Sequence, residues 1–204
     1  MGSINPIELT YVFCSWSSVD FDAISLILIS LVISGVLFLK NYKAPGLLLL
    51  GAMGGDALIV SALKTLEHVP SPTNGIFFDD GFSYPSGHSA GCIVFVGVLA
   101  YFAWRHWQST RSRALIGVGT GAVVSVVGFD RLYLNVHWVS DVFGGWLFGV
   151  FWLSFVILAF RQLKLAGKLE SERFDLIANL LYLIAFVVAV FVVLYGLICN
   201  SLSF

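Results

Sequence analysis

The run VFGGWLFGVFWLSFVILAF at residues 142–160 decides the fold, because it contains no charged residue. A helix of about 20 apolar residues spans the hydrocarbon core of a bilayer, where backbone amides find hydrogen-bond partners only within the protein. Five other apolar stretches resemble it, at residues 23–39, 44–63, 89–104, 114–129 and 176–199. The sequence therefore predicts an all-α fold, a bundle of six transmembrane helices.

The composition of the 204 residues agrees with this, since 58% are hydrophobic and only 11% are charged. These values exclude an ordinary soluble domain and a disordered chain. The formal net charge is −1 without a basic block, so the expected partner is the lipid bilayer and not nucleic acid. We interpret residues 1–204 as a single membrane-embedded domain.

Two features of the chain predict where segments lie in the bundle. Its mixed polar and aromatic start, residues 4–19, predicts an interfacial segment. The third and fourth spans are rich in small residues, which predicts positions inside the bundle.

The cations predict the orientation. Nine of the eleven Lys and Arg residues fall on one side of a six-span topology, which the positive-inside rule makes cytoplasmic. They are Lys40, Lys43, Arg105, Arg111, Arg113, Arg161, Lys164, Lys168 and Arg173. Lys64 and Arg131 fall on the opposite side, against the bias. Such an exception is either incidental, as a span-end cation that extends to the interface, or serves to bind an anion.

The residues around these two cations favour phosphate. Pro85, Ser86 and Gly87 precede or open the third span, and the free N–H groups at a helix start bind anions. Glycine also lets an oxyanion approach the backbone closely. Arg131 offers a planar fork that matches two phosphate oxygens, and Lys64 offers a compact charge.

Two histidines and a carboxylate on the same side could carry out the chemistry. His137 and Asp141 are four residues apart and share a face if a helix begins there. A carboxylate so placed orients one imidazole nitrogen and leaves the other as a nucleophile. His88 is then available to protonate a leaving oxygen. The three cysteines, Cys14, Cys92 and Cys199, have no metal or redox spacing, so they predict neither a metal site nor a redox cofactor.

These motifs resemble the type-2 phosphatidic acid phosphatase and vanadium haloperoxidase superfamily. The resemblance rests on Pro-Ser-Gly-His at residues 85–88 and on Arg131, His137 and Asp141 at the spacing Arg-x5-His-x3-Asp. It implies a catalytic core at about residues 44–160. It also implies that the histidine at 137 attacks phosphorus, that Asp141 orients it, and that His88 protonates the leaving group.

Two positions depart from the family pattern. The family's first motif reads Lys-x6-Arg-Pro, whereas here Lys64 is followed by Ser71 and Pro72. Ser71 is expected to donate a hydrogen bond to phosphate in place of the arginine. Asp130 stands where the third motif usually has serine, and a structural role and a role in the site are both open. The first motif also follows the second span, where the family has it after the third.

The sequence thus predicts a metal-independent membrane phosphatase that hydrolyses lipid phosphates or diphosphates through a phosphohistidine. Undecaprenyl diphosphate and phosphatidic acid are candidate substrates, and a bacterial plasma membrane with an outward-facing site is expected. A lipid phosphotransferase and a non-catalytic lipid-phosphate binder or transporter remain alternatives, and the oligomeric state is open.

Asp56 lies inside the second span, where an unpaired carboxylate is costly, so we expect it to be protonated or hydrogen-bonded within the core.

Overall fold

The computed structural model describes residues 23–73 and 81–169. This part of the chain is helical, apart from connecting turns and an isolated antiparallel bridge between Pro70 and Phe82. The predicted all-α class is confirmed. The helices are α1 (Ala23–Leu39), α2 (Lys43–Glu67), α3 (Gly87–His106), α4 (Thr110–Tyr133) and α5 (Val139–Leu165).

Helices α2 to α5 are each long and apolar enough to cross a membrane, whereas α1 has 17 residues and is shorter. Each of the four extends past its predicted apolar stretch, because polar residues cap or finish it. The Ser86 hydroxyl caps α3 and the Ser109 hydroxyl caps α4 by accepting an N–H of the first turn. The predicted sixth span, 176–199, and the predicted interfacial segment, 4–19, lie outside the described residues.

Helix α3 is at the centre of the described bundle and packs against α2, α4 and α5. Of the residues in its most apolar stretch, 67% are buried, which confirms its predicted interior position. The same prediction for α4 is wrong in the part of the chain that the structure describes, because only 11% of the residues in its most apolar stretch are buried. Three of its glycines face outward, because a Cβ built on Gly117, Gly119 or Gly121 meets no atom within 4 Å. Gly128 differs, because it is buried and packs against Trp146 of α5.

Small residues bring α5 against the start of α3. A Cβ on Gly145 would lie 2.5 Å from the backbone oxygen of Ser86, and one on Gly149 would lie 3.0 Å from the backbone oxygen of Ala90. Only glycine permits this approach of helix to backbone. As a result the first turns of α3 and α5 lie side by side, and the Ser86 amide donates a hydrogen bond to the Asp141 carbonyl (3.0 Å).

Candidate active site

The candidate site lies at the end of the bundle where α2 and α4 end and α3 and α5 begin. On the α2 side, the Val60 side chain lies 3.6 Å from where a Cβ of Gly87 would be, so α2 passes the start of α3 about two turns before its own end at Glu67. On the α5 side, the indole Nε1 of Trp138 donates to the Pro70 carbonyl (2.9 Å). The segment after α2 is thereby tied to the α4–α5 connection.

His137 and Asp141 meet at the start of α5. Nδ1 of His137 lies 3.5 Å from Oδ2 of Asp141, and both residues are buried. This distance is longer than a normal hydrogen bond, and Nδ1 has no hydrogen-bond partner in the described structure. The condition for a shared helix face is not met, because His137 precedes α5, which begins at Val139. The imidazole meets the carboxylate from outside the helix.

The Asp141 carboxylate is completely buried and surrounded by polar groups. Its Oδ2 accepts the backbone N–H of Trp138 at 2.8 Å, as a carboxylate in the third position of a helix commonly does. The hydroxyl of Ser140 lies 3.4 Å from Oδ1. The buried Ser83 hydroxyl lies 3.3 Å from both the Val69 and the Pro70 carbonyl oxygens. The contacts with Trp138 and Ser140 fix the carboxylate beside His137.

Arg131 connects the end of α4 to His88 at the start of α3. Its Nη1 lies 3.2 Å from Nε2 of His88. Because a guanidinium only donates, His88 Nε2 is the acceptor in this arrangement. The other edge of the fork binds Asp130, with Nε donating to Oδ2 at 3.0 Å and Nη2 donating to the same oxygen. The structure therefore brings together the two predicted residues Arg131 and His88 and adds Asp130 to them.

The start of α3 is a helix N-terminus, a place where free N–H groups can bind anions, and one amide there already has an acceptor. Ser86 is fully buried and uses its amide on Asp141, while its hydroxyl accepts from the Ser89 amide (3.4 Å) and hydroxyl (3.1 Å). Ser86 thus acts as a cap and as a link to α5. The amide of Gly87, the first helical residue, has no acceptor inside the helix, as holds for every first-turn amide. Its predicted role in phosphate binding stays a prediction.

Lys64 and Ser71 lie at the same end. Lys64 is partly exposed in the last turn of α2, and its carbonyl accepts the N–H of His68, which ends the helix in the left-handed region. The Ser71 hydroxyl donates to the Gly81 carbonyl at 3.2 Å, bridging the two described sides of the loop. That bond occupies the hydroxyl proton with which Ser71 was expected to bind phosphate. The phosphate-binding roles of both residues stay predictions.

A tight turn sets the spacing between Arg131 and His137. Helix α4 ends at Tyr133, and Asn135 takes a left-handed conformation (φ 52°), which asparagine tolerates better than most residues. The Val136 amide then donates back to the Arg131 carbonyl (3.3 Å). The chain reverses within this turn and delivers His137 to α5.

Asp56 belongs to α2, is 2% exposed, and its side chain faces α3. Its Oδ2 lies 3.4 Å from where a Cβ of Gly91 would be. Gly91 follows His88 by about one turn of α3. Its Oδ1 has no hydrogen-bond partner among the described residues. The expectation that Asp56 is protonated or hydrogen-bonded in the core stays a prediction.

The sequence did not identify Ser83 as part of the site, and a single loop serine carries no signal that would have done so. The position of Trp138 next to His137 suggests a role in shaping the entry of the lipid chain, but the sequence does not predict its hydrogen bond to the Pro70 carbonyl. Among the described residues, no three His, Cys, Asp or Glu side chains are grouped as metal ligands would be.

Comparison with known proteins identifies relatives of this chain. The PAP2 superfamily model matches residues 45–166. The chain is 33% identical to phosphatidylglycerophosphatase B of Bacillus subtilis over 133 residues, which cover 64% of this chain and 65% of the relative. It is 31% identical to the undecaprenyl-diphosphatase of Sulfolobus acidocaldarius over 102 residues, which cover 50% of this chain and 41% of the relative. The match thus spans less than two thirds of either relative.

A solved structure is also similar. The crystal structure of a transmembrane PAP2-type phosphatidylglycerolphosphate phosphatase from Bacillus subtilis matches with a TM-score of 0.58 and 27% sequence identity. The match covers 81% of this chain and 79% of that chain. The likeness therefore extends to the arrangement of the helices.

Proposed function

Because the chain belongs to the PAP2 superfamily, we propose that it is an integral membrane phosphatase that hydrolyses lipid phosphates or diphosphates. The observation that carries the proposal is the pairing of a buried histidine and carboxylate, His137 and Asp141, at the end of the bundle where Arg131 contacts His88. This arrangement supplies a nucleophile, its orienting group, a cation and an acid within one site.

His137 is the nucleophile in the proposed reaction. With Nδ1 turned towards Asp141, the Nε2 lone pair is available to attack phosphorus. The new N–P bond forms as the bond from phosphorus to the lipid oxygen breaks, which gives a phosphohistidine and a free lipid alcohol or monophosphate. Water then attacks phosphorus and releases inorganic phosphate, and His137 regains its lone pair. Asp141 stabilises the positive charge that develops on the imidazole.

The leaving oxygen and the charged phosphoryl group need separate partners. His88, at the start of α3, protonates the leaving oxygen. The fork of Arg131, the Lys64 ammonium and the Gly87 amide stabilise the negative charge on the phosphoryl oxygens in the transition state. Ser86 contributes by capping α3 and fixing its first turn against α5.

The names of the relatives guide the choice of substrate. One is a phosphatidylglycerophosphatase and another is an undecaprenyl-diphosphatase, so a glycerophospholipid phosphate and a polyprenyl diphosphate are the two substrates to compare first. We place the protein in a bacterial plasma membrane with the site on the non-cytoplasmic face. The cation distribution supports this orientation, because Lys64 and Arg131 lie opposite the other basic residues.

The proposal is tested with purified full-length protein and a panel of phosphatidylglycerophosphate, phosphatidic acid and undecaprenyl diphosphate in the presence of EDTA. Inorganic phosphate release is measured for the wild type and for His137→Ala. We expect release from at least one lipid and its loss in the variant. We also expect acid-quenched wild-type protein, but not the variant, to retain phosphate from a radiolabelled substrate.

The outcomes separate the alternatives. Absence of release from every lipid would contradict the hydrolase, and loss of release in EDTA would contradict the metal-independent mechanism. Phosphate transfer that requires a second lipid as acceptor would identify a phosphotransferase. Full release by His137→Ala would remove His137 from the role of nucleophile.

A further inference from the structure

The fork of Arg131 is already occupied by a carboxylate. Two of its nitrogens, Nε and Nη2, donate to Oδ2 of Asp130. These are the donors of one guanidinium edge, which can bind two phosphate oxygens side by side. The remaining nitrogen of the fork, Nη1, faces His88. Arg131 thus holds an anion of the protein's own and a histidine at the same time.

The two partners of this ion pair differ in exposure. The side chain of Arg131 is 8% exposed, whereas that of Asp130 is 42% exposed. The arginine is held in the bundle at the end of α4, while the carboxylate has room to turn into solvent. An incoming anion can therefore displace the carboxylate without moving the arginine far.

We propose that Asp130 is a built-in competitor for the phosphate-binding arginine, which weakens phosphate binding and so selects for substrates that carry more than one negative charge. A phosphate dianion exceeds a single carboxylate in charge and offers the guanidinium two oxygens. A singly charged phosphodiester gains less from the exchange. The residue therefore helps to determine specificity and does not itself take part in bond making or breaking.

The exchange also releases His88. In the described arrangement Nε2 of His88 accepts a hydrogen bond from Arg131, so this nitrogen does not carry a proton that could be donated. When phosphate binds Arg131, the guanidinium can turn from His88 to the phosphoryl oxygens. Nε2 can then take up a proton from solvent water and donate it to the leaving oxygen. Substrate binding and formation of the acid would in this way be coupled through one side chain.

This proposal rests on the phosphate-binding role of Arg131, so its test measures binding without turnover. Inorganic phosphate is titrated into full-length wild type, Asp130→Asn and Asp130→Ser, with the dissociation constant read by calorimetry. Because removal of a competing, partly exposed ion pair restores the binding-competent arginine, we expect phosphate to bind about three- to fivefold more tightly in both variants. The same gain should disappear when Arg131→Ala is added to either variant.

Glu67→Gln is the matched control, since it removes an exposed carboxylate at the end of α2, near the same end of the bundle. It should leave the phosphate dissociation constant unchanged. Equal or weaker phosphate binding in Asp130→Asn and Asp130→Ser would overturn the proposal, as would an equal gain in Glu67→Gln. The melting temperature of each variant shows whether it is folded. Because asparagine and serine differ in size, the second substitution still tests the proposal if the first prevents folding. Failure of the hydrolase assay would leave this binding result intact.

Discussion

Asp141 performs two separate tasks at the start of α5. Its carboxylate faces Nδ1 of His137 and accepts the Trp138 amide, while its carbonyl accepts the Ser86 amide. Asp141→Asn keeps the size and the backbone contact but replaces one carboxylate oxygen by a donor. We expect the turnover number to fall by about 10²- to 10⁴-fold, because the imidazole loses its orienting charge. Steady-state phosphate release with the preferred lipid checks this.

The melting temperature of Asp141→Asn should stay within a few degrees of the wild type, since the Ser86 contact uses only backbone atoms. Turnover within threefold of the wild type would show that the carboxylate does not orient His137. A large loss of stability together with activity would instead assign Asp141 a structural task.

At the scale of single residues, the sequence predicted the partners better than their geometry. Arg131, His88, His137 and Asp141 were expected at one membrane face because span-end charges are few and the motif spacing is specific. The sequence could not predict that α5 begins only after His137, because Trp138, which caps the helix, carries no conventional cap side chain. It also left the role of Asp130 open, since rotamers decide which group the arginine binds.

At the scale of elements, the contact of α5 with the start of α3 positions the candidate catalytic groups. A Cβ at residue 145 would approach the Ser86 backbone oxygen to 2.5 Å, and backbone atoms cannot move aside cheaply. We expect Gly145→Ala to destabilise the protein by roughly 1–3 kcal/mol and to lower activity strongly, because α5 must shift away from α3. Thermal unfolding in detergent and phosphate release measure the two effects.

Gly51→Ala is the matched control in α2, because a Cβ there meets no atom within 4 Å and the position is exposed. Since alanine favours helix over glycine, this variant should be as stable as the wild type or slightly more stable. Equal behaviour of the two variants would contradict the importance of the α3–α5 contact.

The bounds of the helices show what hydrophobicity can and cannot predict. The apolar stretches located every described helix, because only helices satisfy backbone groups in lipid. They did not predict which face of α4 would be covered. Small residues permit close packing but do not require it, so the glycines at 117 and 121 gave the wrong interior position for that helix.

At the scale of the whole molecule, the orientation in the membrane is the main prediction that awaits a test. In a background without the native cysteines, Thr73→Cys lies in the exposed segment after α2, and Gln108→Cys lies in the exposed α3–α4 connection. Because the positive-inside rule puts the basic end in the cytoplasm, a membrane-impermeant maleimide should label Thr73→Cys in intact cells. Gln108→Cys should be labelled only after lysis, and the reverse pattern would invert the orientation.

The hydrogen bond from the Ser86 amide to the Asp141 carbonyl has a consequence for how the site can change over evolution. It holds the first turns of two helices, α3 and α5, at one place, and each helix start carries about half a positive charge from its peptide dipoles. This potential belongs to the backbone, so it does not titrate and no side-chain substitution removes it. Under the proposed function, this backbone potential favours phosphate binding even though serine stands at position 71, where the family pattern has arginine.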